Sequence, residues 1–109
     1  MDSNYKIAIV GSKDAIQGFK ALGLTCRYAL TPEAALEELT KLAEENHAII
    51  FIIEELAENI NQNDLKKLVD GPLPAIIPVP GPKGSTGYGI KQIGKFVEQA
   101  VGSDIFGNK

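Results

Sequence analysis

The sequence predicts an α/β domain: a four-stranded parallel sheet with helices on both faces, followed by one more helix on a glycine- and proline-rich tether. Three observations predict it. Short β-branched runs alternate with stretches whose apolar residues recur every three or four positions, and such alternation builds parallel sheets joined by crossover helices. Cap and stop residues sit at the joints between these runs, where helices need them. One segment, Pro80 to Gly89, breaks the pattern with two prolines and four glycines in ten residues.

Each element follows from its residues. Tyr5 to Val10 (YKIAIV) is β-branched and apolar and reads as a buried strand that Gly11 ends. Ser12 caps the next helix and Asp14 lies in its first turn, where the helix dipole favours an acid. Ala15, Ile16, Phe19 and Leu22 fall at helical spacing, and Gly23 stops the helix. Leu24 to Leu30 is the second strand. Thr31-Pro32-Glu33 is a helix start, with a threonine cap, proline at the first helical position and an acid after it. Ala35, Leu36, Leu39, Leu42 and Ala43 form its apolar face, and the helix is expected to end near Glu45. His47 to Ile53 (HAIIFII) is the most apolar strand and is expected at the centre of the sheet. Glu54 to Asp70 is helical in pattern, with a break expected near Asn61 to Asn63. Leu73 to Val79 is a fourth strand whose prolines confine it to an edge. After the tether, Ile90, Ile93, Val97, Ala100 and Val101 recur at three-and-four spacing, an amphipathic helix of about 13 residues and roughly 20 Å. The organisation read from this is a compact, Rossmann-like and receiver-like part over 1–79, a flexible loop over 80–89, and a closing helix and tail over 90–109.

Composition narrows the function classes. The chain has 109 residues, 44% hydrophobic and 23% charged, with a formal charge of −3. That suits one globular domain and argues against nucleic acid or an anionic membrane surface as the main partner, since both select a basic footprint. Cys26 is the single cysteine, so no disulfide forms within the chain, which fits a reducing compartment. In its apolar-polar setting it reads as a small hydrophobe. Met1 to Tyr5 lacks the apolar stretch of a signal peptide, and the longest apolar run, Ala48 to Ile53, is far too short for a membrane span. A soluble, cytoplasmic location is the expectation, with no membrane insertion.

Each candidate chemistry makes demands on particular residues. A phosphate-binding loop needs Gly-x-x-x-x-Gly-Lys-Ser/Thr so that amides wrap the phosphate and the lysine reaches it. In Gly81-Pro-Lys-Gly-Ser-Thr-Gly87 the lysine precedes Gly84-Ser85, so that geometry does not follow. Gly11-Ser-Lys-Asp14 carries one glycine, not the three of a dinucleotide fingerprint. A receiver's phosphotransfer needs an aspartate at the end of the third strand, and Ile53 is followed by Glu54-Glu55. Glu54, Glu55 and Glu58 lack a partner histidine at ligand spacing and read as a solvated helix start. His47 stands at a strand entry without an evident nucleophile and reads as structural. No catalytic residue, cofactor or metal is expected. The closing helix leaves two readings open: its stripe covers the chain's own sheet, or another chain holds it.

Three stretches carry a resemblance. Ile9-Val10-Gly11-Ser12-Lys13-Asp14 through Gly18-Phe19-Lys20-Ala21-Leu22-Gly23 is one, Ile76-Ile77-Pro78-Val79-Pro80-Gly81-Pro82 is the second, and Val97-Glu98-Gln99-Ala100-Val101-Gly102-Ser103-Asp104-Ile105 is the third. In this order and spacing the chain resembles the F subunit of V/A-type ATP synthases. Ser12-Lys13 departs from the acidic residues frequent there. The resemblance implies a non-catalytic central-stalk (rotor) subunit that binds the coiled-coil D subunit. The shaft turns inside the ring of A and B subunits, connects to the membrane rotor and couples ATP hydrolysis or synthesis to ion translocation. It also implies a regulatory role in ATP hydrolysis for the C-terminal helix. On this reading Ile90, Ile93, Val97 and Val101 form the partner-binding stripe, and Pro80, Gly81, Pro82, Gly84, Gly87 and Gly89 give the hinge its freedom. The rival readings are a small-molecule or anion-binding module, using strand ends and the last helix's N-terminus, and a degenerate receiver-like adaptor.

Overall fold

A computed structural model describes residues 6–84, 86–92 and 94. Four parallel strands form one sheet in the order β2-β1-β3-β4: β1 Lys6–Gly11, β2 Thr25–Tyr28, β3 His47–Ile53 and β4 Ala75–Val79. The α/β class with a four-stranded parallel sheet is as the sequence predicts. β3 keeps its predicted bounds and lies inside the sheet, and β4 is an edge. Proline at Pro78 is tolerated there because an edge strand has one side with no ladder partner.

Helix starts obey their caps. The Ser12 hydroxyl accepts from the Ala15 amide ahead of α1, Lys13–Ile16. The Thr31 hydroxyl does the same for Ala34 ahead of α2, Pro32–Glu44. α1 passes into a 3₁₀ turn over Gln17–Leu22 instead of continuing. Gly18 stands at the transition, and glycine costs about 1 kcal/mol relative to alanine inside an α-helix. The third helical segment divides into α3, Glu54–Ala57, and α4, Gln62–Leu68. The division falls at the predicted break because the Asn61 side chain caps α4, accepting from the Asn63 and Asp64 amides.

Pleating sends alternate residues to opposite faces. Ala8, Val10, Ile50 and Ile52 point to one face and are covered by Ala35, Leu39 and Leu42 of α2, with Ala57 and Ile60, in a fully buried cluster. Ile9 and Ile53 point to the other face, where Ile16 of α1 covers them. His47 is buried at the entry to β3. Its Nδ1 lies 2.9 Å from the Leu42 carbonyl and its Nε2 3.1 Å from the Thr25 hydroxyl. A carbonyl only accepts, so Nδ1 donates to it, and in the neutral ring Nε2 accepts from the Thr25 hydroxyl. The histidine thus ties α2 to β2 and β3, the structural role expected of it.

Candidate interaction site

The residues that leave β4 are anchored to the body at specific points. Pro80 and Pro82 are exposed, and from Gly81 to Gly84 the chain folds into a tight turn in which the Gly84 amide donates to the Gly81 carbonyl at 2.9 Å. Further on, the Thr86 amide donates to Glu54 Oε1 at 3.0 Å and the Gly89 amide to Glu54 Oε2 at 2.6 Å. Glu54 is 1% exposed. The reading of Glu54 as part of a solvated helix start is therefore corrected, while Glu55 and Glu58 are indeed exposed. A buried carboxylate is costly unless hydrogen-bonded, and amide donors from the tether meet that need. The tether answers with glycine where the approach is closest. A Cβ on Gly89 would stand 2.8 Å from Glu54 Oε2, closer than real Cβ contacts allow, and a tight 3.1 Å from the Pro78 carbonyl.

Beyond this clamp, helical structure begins, described over 88–92 and at 94. The Tyr88 amide donates to the Thr86 hydroxyl at 3.2 Å, and the Lys91 amide donates to the Gly87 carbonyl. The Tyr88 hydroxyl donates to Gln62 Oε1 at 3.0 Å, and its ring packs against the cluster under α2. Burial raises the phenol pKa above its ordinary 10.0, the Gln62 bond opposes that and the Glu58 charge adds to it. Tyr88 and Gln92 line one side of a groove of about 300 Å³ whose other walls include Leu65, Val69 and Ile76. The helix root is thus seated on the α4 side of the edge strand. Ile90, first of the predicted stripe, is 72% exposed. Ile93, Val97 and Val101 lie outside the described residues.

The clamp also bears on anion binding. Amides of a glycine-rich segment are what a phosphate would recruit, and here the Thr86 and Gly89 amides are already given to an internal carboxylate. Cys26 is half-buried with Sγ 3.8 Å from the Ile16 and Leu24 carbonyls. Among the described residues no group of three or more His, Cys, Asp or Glu is placed to hold a metal ion, and no helix is long and apolar enough to cross a membrane.

The sequence patterns missed Glu54, although a signal was present. Glu54, Ala57 and Ile60 recur every three residues, one inward face, and an acid in that row must find internal donors. The 3₁₀ stretch was also missed, because i+3 spacing serves both helix types.

Taken together, the described chain is a small α/β scaffold whose buried side-chain polar atoms all have partners and which leaves several large apolar side chains, Leu22, Leu30 and Ile90 among them, exposed. It belongs to the family of the ATP synthase (F/14-kDa) subunit, which it matches over residues 7–97. The F subunit of the V-type ATP synthase of Fusobacterium nucleatum is 40% identical over 101 residues, covering 93% of this chain and 95% of the relative. The corresponding V-type protein of Clostridium perfringens is 37% identical, covering 96% and 99%. The F subunit of the A-type ATP synthase of Thermococcus kodakarensis is 36% identical, covering 92% and 97%. The resemblance read from the three sequence stretches is thus borne out.

Proposed function

We propose that this chain is a non-catalytic central-stalk subunit of a V/A-type rotary ATPase. It binds the coiled-coil D subunit through the stripe Ile90, Ile93, Val97 and Val101. As part of that shaft it turns within the A and B subunits, reaches the membrane rotor through the stalk, and helps couple ATP hydrolysis or synthesis to ion translocation. The complex holds it at the cytoplasmic side, peripheral to the membrane. The closing helix from residue 90 onward regulates hydrolysis by changing its pose, and the body over 1–79 is its support.

The observation that carries this reading is the 72% exposure of Ile90 one residue after a clamped Gly89. The helix root is held on the body, yet the first apolar residue of the stripe faces away from it. Burying four such side chains is worth about 6–10 kcal/mol gross, at roughly 1.5–3 kcal/mol each before ordering costs. Neither rival reading gains support: the Thr86 and Gly89 amides at the start of the last helix are given to Glu54, and β3 ends without an aspartate. The test is calorimetric titration of the D subunit with the full chain and with an Ile90→Asp/Val97→Asp variant. The proposal expects the variant to bind at least about 30-fold more weakly, since buried apolar anchors each carry 1–2 kcal/mol or more. Equal affinity would remove the helix from the interface.

A further inference from the structure

We infer that Glu54 is a latch: its carboxylate sets where the closing helix leaves the body, and its release, not the bending of a loose tether, frees the helix to move. The latch itself is a property of the free chain; only its regulatory meaning rests on the central-stalk reading above.

The carboxylate belongs to the first residue of α3, immediately after β3, an interior strand of the sheet and so a rigid origin. It accepts from amides 32 and 35 residues away along the chain, spanning the whole of the α3–α4–β4 segment. The two bonds bracket the point where the tether turns into helix: Thr86 lies before it, and Gly89 lies within the first helical turn. The chain's direction at Ile90 is therefore dictated by Glu54. Tyr88, between the two clamped amides, reinforces the pose through Gln62 and the core. Without the carboxylate the segment from Pro80 to Gly89 loses its two anchors on the body, leaving the Gly81–Gly84 turn and the Tyr88 contacts to hold it. A fully free glycine-rich segment of that length spans roughly 18 Å r.m.s., which sets the outer scale of how far the helix root strays once the remaining Tyr88 contacts also open.

Two variants test the latch by different routes. Glu54→Gln keeps the shape, but its amide nitrogen only donates, so one of the two backbone amides meets a donor instead of an acceptor. Gly89→Ala leaves the carboxylate intact and puts a methyl group where Glu54 Oε2 stands 2.8 Å away. Hydrogen exchange of the Thr86 and Gly89 amides is followed by NMR on the full chain, with Ile50 and Ile52 amides reporting on the body. Both variants are expected to speed exchange at Thr86 and Gly89 at least about 30-fold, which is ~2 kcal/mol at 1.4 kcal/mol per tenfold. Tryptic cleavage after Lys83 should rise in parallel, with Ile50 and Ile52 still protected. Unchanged exchange at Thr86 and Gly89 in either variant overturns the latch. Loss of protection across Ile50 and Ile52 in both variants also overturns it, because Glu54 would then support the core as a whole. The measurement needs no partner, so its failure leaves the D-subunit proposal standing, and failure of the D-subunit titration leaves the latch standing.

Discussion

The two faces of the sheet have the same kind of residues and different fates. On the α2 face, Ala8, Val10, Ile50 and Ile52 meet Leu39 and Leu42 and are buried completely. On the α1 face, the row Ile9, Phe51 and Ile77 runs across three strands, but burial declines along it. Ile9 is buried, Phe51 is half-buried and Ile77 is 37% exposed, while Ile7 nearby is 43% exposed. The covering element explains the difference. α2 spans 13 residues, whereas α1 with its 3₁₀ extension is shorter and centres on Ile9 and Ile53, with Leu24, Cys26, Phe51 and Val79 only partly buried around them. One face is a finished core, and the other is core near α1 and surface near β4. Stability resides on the first, and tolerance to change is expected on the second.

Substitutions can break or sharpen that contrast. The largest effect is expected at Leu39→Ala, which should cost about 2–5 kcal/mol in urea unfolding because a fully buried leucine leaves a cavity. Ile77→Ala, on the open face, should cost under about 1.5 kcal/mol, since little packing is lost where water already reaches. Equal costs would abolish the contrast. Next comes Gly11→Ala, at the closed end of the α1 face. Its Cβ would stand 2.5 Å from Ile53 Cγ1 and 2.8 Å from Ile16 Cγ2, and overpacking of this kind costs about 1–3 kcal/mol. Gly18→Ala, with nothing within 4 Å, should be neutral or stabilising by up to about 1 kcal/mol. The pair isolates close packing from glycine as such, and both are read from thermal melts.

Smaller effects concern the rim. Arg27 bridges Glu38 at 3.1 Å and pairs with Glu45, linking β2 to α2. Its side chain is partly exposed, so Arg27→Ala should cost no more than about 1 kcal/mol, and less in high salt. The smallest effect is a pH step at Tyr88. Its folded pKa is raised above 10.0, so its docking contributes fully below pH ~10 and is lost as pH rises through the raised value. Tyrosinate absorbance should show a late-titrating component, absent in Tyr88→Phe.

Much of the fold was legible because local chemistry and tertiary context agree. Thr31-Pro32 starts α2 where its cap predicts, and the apolar run His47 to Ile53 becomes an interior strand with the same bounds. The tether was not legible, because glycine and proline report only what a segment can do when nothing holds it. What holds it is Glu54, 32 residues before Thr86 in the chain, and no local pattern in the tether encodes a distant acceptor. The stripe beginning at Ile90 is read from spacing alone, and of its residues only Ile90 is described. Its partner was not legible, since periodicity specifies that a surface wants burial and leaves open what supplies it.

Whether this chain works by contact with an axle is tested most directly by mixing it, purified, with the coiled-coil D subunit. Size-exclusion chromatography with light scattering reads the outcome. A single co-eluting species with the mass of a one-to-one complex is the predicted result. Two separate peaks at micromolar concentrations, each with the mass of its free component, would contradict it.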